Sequence, residues 1–170
     1  MRGIPPRLFA SLLGIVVMGW SCPAMGQAGS HFGVGIGSVA SSGTGSGTQV
    51  MAFGTVPIRG AALEARVGMA GTRWGYNEVP TPRHSLTFMA DLVAAASLGR
   101  LHPYALAGVA VDAPAGTHAR PGVSAGLGVN YGFGRRAVFL EGRGQVFRRT
   151  YTSELTPPRA VRPVVIGFRF

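Results

Sequence analysis

Between residues 30 and 170 the chain repeats one pattern, in which apolar side chains alternate with polar or small ones and turn residues close each segment. A period of two belongs to a strand, because successive side chains point to opposite faces. Eight such segments can be drawn: Ser30–Ala40, Gln49–Val56, Ala61–Trp74, His84–Ser97, Pro103–Val111, Gly122–Tyr131, Ala137–Thr150 and Val161–Phe170. Past the N-terminal segment, no stretch reaches the roughly 18 apolar residues of a membrane-spanning helix. The nearest, Leu86–Leu98, is interrupted by Asp91. The segments instead have the length of membrane strands, about 9–11 residues.

The faces separate cleanly near the C-terminus. Val164, Ile166, Phe168 and Phe170 share one face, and Val165, Gly167 and Arg169 the other. Val123, Ala125, Leu127, Val129 and Tyr131 oppose Ser124, Gly126, Gly128 and Asn130. Val138, Leu140, Gly142, Gly144 and Val146 oppose Glu141, Arg143 and Gln145, while Leu63, Ala65, Val67 and Met69 oppose Glu64, Arg66 and Thr72. The segment Tyr104–Val111 is apolar on both faces and leaves its orientation open. The fourth segment is Ala-rich, so a helix is its local alternative. The expected loops Ser41–Thr48, Gly75–Arg83, Asp112–Pro121 and Tyr151–Ala160 are longer and polar. Tight turns are expected at Pro57–Gly60, Leu98–His102 and Gly132–Arg136. Long loops at one end and short turns at the other predict an all-β fold, an eight-stranded antiparallel up-and-down transmembrane barrel. Closure follows because lipid tolerates no open sheet edge.

Composition agrees with a sheet that has one face in lipid. Charged residues make up 13% of the chain, against about 25% in an ordinary soluble domain. The 27 glycines follow no collagen-like triplet. All 16 basic residues are Arg, and the formal charge is +10. Arg2 and Arg7, the apolar run Leu8–Trp20 and the small residues around Ala24-Met25-Gly26 form a Sec-type signal peptide. Residues 1–26 are therefore expected to be removed, with cleavage as late as residue 28, leaving a barrel domain at 27–170. A lipoprotein acylated at Cys22 is the weighed alternative, but Gly19 and Trp20 fit a lipobox poorly. Cys22 is the only cysteine, so the mature chain is expected to carry no disulfide and no Cys-ligated metal.

His102-Pro103-Tyr104, Gly126-Leu-Gly128-Val-Asn-Tyr131-Gly132, Phe139-Leu-Glu141-Gly-Arg143 and Gly167-Phe-Arg-Phe170 follow one another in order. On these motifs the mature chain resembles the small outer-membrane β-barrels of the OmpA, OmpX and opacity-protein type. The resemblance implies a bacterial outer-membrane location and folding by the outer-membrane assembly machinery, with Phe168 and Phe170 as the assembly signal. Because the chain stops after the eighth strand, it is expected to be a barrel-only member without a peptidoglycan-binding domain.

Parity places Glu64, Arg66, Asp91, Glu141, Arg143 and Arg169 on the inward face, three carboxylates against three guanidiniums. Strands three and seven lie opposite each other, and an eight-stranded lumen is narrow enough for their side chains to meet. The simplest expectation is a polar plug in which Glu64, Arg66, Glu141 and Arg143 meet across the lumen; a gate or proton path is the sharper alternative. The inward glycines of strand one, among them Gly35 and Gly37, are expected to leave room for the arginines opposite. Their spacing also matches a loose dinucleotide fingerprint, but no helix follows, so that reading fails.

At the loop end, Arg73, Arg83, Arg120, Arg148, Arg149, Arg159 and Arg162 are candidates for lipid phosphate. The partners expected are therefore outer-membrane lipid, including lipopolysaccharide, and the assembly machinery. Nucleic acid is not expected, because the arginines scatter over strand ends rather than forming one patch. A monomer without cofactor or metal is expected. In His84-Ser85 the two are strand neighbours that face opposite sides, so no nucleophile–base contact is expected there and the chain reads as a non-enzyme. Two functions stay open: a structural or surface-interaction barrel, and a narrow channel for small solutes. A lipid-modifying barrel enzyme is a third, weaker reading.

Overall fold

The computed structural model describes residues 30–41, 45–58, 63–76, 83–115, 118–148 and 160–170. They form eight strands: β1 (His31–Ser41), β2 (Gly45–Pro57), β3 (Leu63–Tyr76), β4 (Arg83–Ala95), β5 (Leu101–Pro114), β6 (Arg120–Phe133), β7 (Arg136–Phe147) and β8 (Ala160–Arg169). Each pairs antiparallel with its sequence neighbours, and β8 pairs with β1, so the sheet closes in simple up-and-down order. The Ala-rich fourth segment is a strand. The signal peptide, residues 1–26, lies outside the described residues.

Register fixes the dimensions of the barrel. Starting at His31, partners run through Thr55, Arg66, Asp91, Gly108, Ser124, Gln145 and Val161 and return to β1 at Ser41. The circuit comes back displaced from residue 31 to residue 41. With eight strands, a stagger of that size and ordinary strand spacings give a tilt of about 40° and a backbone radius of about 8 Å. Side chains from opposite walls of such a barrel can meet at its axis.

The two faces sort as the alternation requires, but inside out relative to a soluble barrel. Ile36, Val67, Phe88, Leu92, Val109, Val123, Leu127, Leu140 and Ile166 stand on the outer surface, with Leu127 at 71% exposure. Gln49, Arg66, Asp91, Ser124, Asn130, Glu141, Arg143 and Gln145 are buried within. The double-faced β5 resolves with Tyr104, Leu106 and Ala110 inward and Val109 and Val111 outward.

Several strands run further than apolar alternation indicates. Gly45-Ser46-Gly47-Thr48, expected in a loop, joins β2 and pairs with β3. The end of β5 and the start of β6 likewise pair through Asp112 and Arg120. Polar and small residues keep the period of two past the apolar belt, and the backbone ladder continues with them. The contrast between long loops and short turns is correspondingly weaker than expected.

Candidate functional site: the filled lumen

The lumen is packed in layers. Phe53 on β2 and Phe139 on β7 meet edge to face with centroids 5.3 Å apart. They share a buried apolar cluster with Val39, Met51, Met89, Phe147 and Val165. Glycines on β1 make this packing possible. A Cβ on Gly33 would overlap the Phe53 ring, and one on Gly35 would sit 2.7 Å from Val165 and 2.9 Å from Phe139. The strand-one glycines thus make room for aromatic and aliphatic side chains, not for arginines as expected, because Gly33 and Phe53 are direct register partners.

Beside this layer sits a buried ion network centred on Glu141. Arg66 donates from both terminal nitrogens to its carboxylate, at 2.7 and 3.0 Å. Tyr104 donates its hydroxyl at 2.7 Å, and Arg143 donates from Nε. Four donors on two oxygens use the full accepting capacity of a carboxylate. Arg143 also reaches Asp91 at 2.9 Å, and Asp91 accepts from Ser124 at 3.0 Å. The sulfur of Met89 lies 3.2 Å from Arg143 Nη1. Arg66 stacks 3.8 Å from the centre of the Phe53 ring, a contact that suits a desolvated guanidinium. The groups come from β3, β4, β5, β6 and β7, so the network crosses the lumen. Two arginines balance two carboxylates, and the side-chain exposures are 4% and 3% for Arg66 and Arg143, 0% and 1% for Glu141 and Asp91.

Glu64 does not join this group, in contrast to the expected four-residue plug. It pairs with Arg169 of β8 at 2.8 Å, and Arg169 also donates to Thr55 at 3.2 Å. The reason is height: Glu64 lies one inward position nearer the strand end than Arg66, facing the partly open mouth, and keeps 24% side-chain exposure. A cavity of about 10 Å³ separates the two clusters, lined by Phe53, Glu64, Arg66, Tyr104, Asn130 and Arg169 among others. That is about the room one water needs.

Nearer the loop end, Thr87 donates to Asp112 at 3.1 Å, and Trp74 Nε1 donates to Ser85 at 3.2 Å. Arg120 is buried at 6% exposure on the inner face, not in an outer loop where the sequence pattern puts it. β6 starts at Arg120, which gives this residue the parity of Ser124 and makes it the register partner of Asp112. Arg73, Arg148 and Arg162 are exposed. Arg83 begins β4. Arg149 and Arg159 lie outside the described residues. Tyr104, Ser124, Met89 and Phe53 escaped the sequence reading of this site. Only Ser124 carried a signal, its inward parity.

Comparison with solved structures then decides the fold. Neisserial surface protein A superposes with a TM-score of 0.64 at 14% identity, covering 82% of this chain and 94% of that one. A major outer membrane protein of Thermus thermophilus gives 0.59 at 12% identity, covering 83% and 98%. The outer membrane enzyme PagL gives 0.58 at 14% identity, covering 82% and 98%. This chain has the fold of the small eight-stranded outer-membrane barrels. No protein-family model matches the sequence, and no curated protein matches it. Within this fold, His84 and Ser85 stand on opposite faces, His84 exposed and Ser85 buried against Trp74.

Proposed function

We propose that the chain is an exported bacterial outer-membrane barrel with a structural or surface-interaction role, whose lumen is closed by its own side chains. The observation that carries this reading is the neutral network of Arg66, Glu141, Arg143, Asp91 and Tyr104, buried between opposite walls. Charges so confined persist when paired; Glu141 accepts four hydrogen bonds, while Arg66 Nε and Arg143 Nη2 are buried with no partner among the described residues. These side chains take up the space a solute path would need. An apolar outer belt supports the membrane location, since only a closed sheet spans lipid without orphan backbone groups. Residues 1–26 then serve as the signal peptide, and Phe168 and Phe170, both half exposed on the lipid face, serve as the assembly signal. The exposed Arg73, Arg148 and Arg162, with Arg83, Arg149 and Arg159, meet lipid phosphate at the loop end, lipopolysaccharide among the sources.

We read the chain as a monomer and a non-enzyme. The opposed faces of His84 and Ser85 support the second point. The test is conductance in planar bilayers with the refolded chain. The closed barrel adds no steps above the bare bilayer. Steady ohmic steps in the parent protein would transfer the assignment to the narrow-channel reading.

A further inference from the structure

Two hairpin turns at the end opposite the loops share one design. Leu98 and Leu101 exchange backbone hydrogen bonds of 2.8 and 3.2 Å around Gly99-Arg100. Phe133 and Arg136 are register partners around Gly134-Arg135. Gly99 and Gly134 both have φ of 68°, while no other described residue type takes a positive φ. A positive φ at the first central position alone defines a type II′ turn, which needs Gly there and accepts a side chain next to it. In both turns that side chain is Arg. The turns are neighbours, because β5 pairs with β6 and the Gly132 amide donates to the Arg100 carbonyl at 2.8 Å.

Arg100, Arg135 and Arg136 are all exposed, and neither turn contains an acid. None of the three makes an ion pair among the described residues. Directly beneath them lies an exposed apolar and aromatic rim: Leu98, Leu101, Tyr131, Phe133, Phe168 and Phe170. Aromatic rims of this kind mark the level of lipid headgroups. Three exposed planar cations at that level, none held in an ion pair among the described residues, complement phosphodiesters.

We infer that Arg100, Arg135 and Arg136 form a headgroup site for anionic phospholipid in the leaflet on the turn side. The inference rests on the membrane reading above. It is separate from the loop-end arginines, which lie at the other end of the strands. Arginine at an anionic surface strengthens attraction by about fivefold per side chain, and salt weakens it.

The test uses the full chain refolded into vesicles, with Trp20→Phe and a Tyr131→Trp reporter at the turn end. Trp74 is buried in the lumen, so the chain without the reporter sets the background. Quenching by brominated phosphatidylglycerol is compared with quenching by brominated phosphatidylcholine. The parent should show preferential quenching by the anionic lipid, several-fold at low salt. Arg100→Gln with Arg135→Gln and Arg136→Gln should bring the ratio close to one. A Val146→Trp reporter at the loop end should not respond to the triple change. An unchanged ratio in the triple variant, or a ratio near one in the parent, overturns the site and leaves the membrane reading standing. Failure of the parent to insert into either vesicle overturns both.

Discussion

Replacing Arg143 with Ala tests the lumen network at its most connected cation. Arg143 bridges Glu141 and Asp91, with its side chain only 3% exposed. Its loss falls unequally on the two acids. Glu141 keeps both bonds from Arg66 and the one from Tyr104. Asp91 keeps only the Ser124 hydroxyl, at 1% side-chain exposure. Removing one partner of a buried pair costs roughly 3–5 kcal/mol. Because Glu141 stays satisfied, the loss concentrates on Asp91, and about 3 kcal/mol is expected. With a urea slope of about 2 kcal/mol per M, the midpoint should fall by about 1.5 M. The double change Asp91→Asn with Arg143→Met removes both charges and leaves the Arg66–Glu141–Tyr104 group intact. It should cost about 1 kcal/mol, because a neutral replacement of similar volume leaves no charge unpaired. The assay is urea unfolding of the chain in a Trp20→Phe background, refolded in detergent and followed by the fluorescence of lumen-buried Trp74. If Arg143→Ala unfolds at the parent's midpoint, or if the double variant is less stable than the single one, the pairing does not hold the lumen as described.

Gly128→Ala should destabilise by about 1–3 kcal/mol, because its Cβ would overlap the Tyr104 ring and push the hydroxyl off Glu141; Gly142→Ala, whose Cβ meets nothing within 4 Å, should be neutral or slightly stabilising in the same unfolding assay. Phe170→Ala should slow membrane assembly without blocking export, since the side chain is half exposed while the backbone exchange with Phe32 survives; heat-modifiable gel migration of pulse-labelled protein reads this out. Expression in a Gram-negative host should yield a chain cleaved near Gly26 or Ala28, and N-terminal sequencing of the outer-membrane fraction checks it.

Which residues face inward was legible wherever one face is plainly apolar. Parity alone points Arg66, Glu141, Arg143, Asp91, Glu64 and Arg169 inward; Arg66, Asp91, Glu141 and Arg143 are buried, and Glu64 pairs with Arg169 nearer the mouth. The partners were not legible in the same way. Alternation gives a face but not a height, and height depends on the stagger accumulated around the closed sheet. Glu64 and Arg66 share a face, yet one meets β8 and the other β7. The orientation of β5 was hidden because Leu106 and Val109 are equally apolar; Tyr104, bonded to Glu141, shows which face is inside. Arg120 was misplaced because the apolar pattern stops at Gly122 while the backbone ladder continues. Strand ends built from Gly, Ser, Thr and Pro carry no hydrophobic signal, so their extent is set by pairing alone.

The central claim is that the apolar face of this barrel lies in lipid and the charged face lies within. Single cysteines at Val67, Leu127 and Ile166, each introduced in a Cys22→Ser background and labelled with a fluorophore, address it most directly. All three native side chains are more than half exposed on the outer surface. In refolded vesicles, brominated acyl chains should quench every label, and a water-soluble quencher such as iodide should reach none of them. Labels quenched by iodide and untouched by brominated lipid would place this face in water and contradict the account.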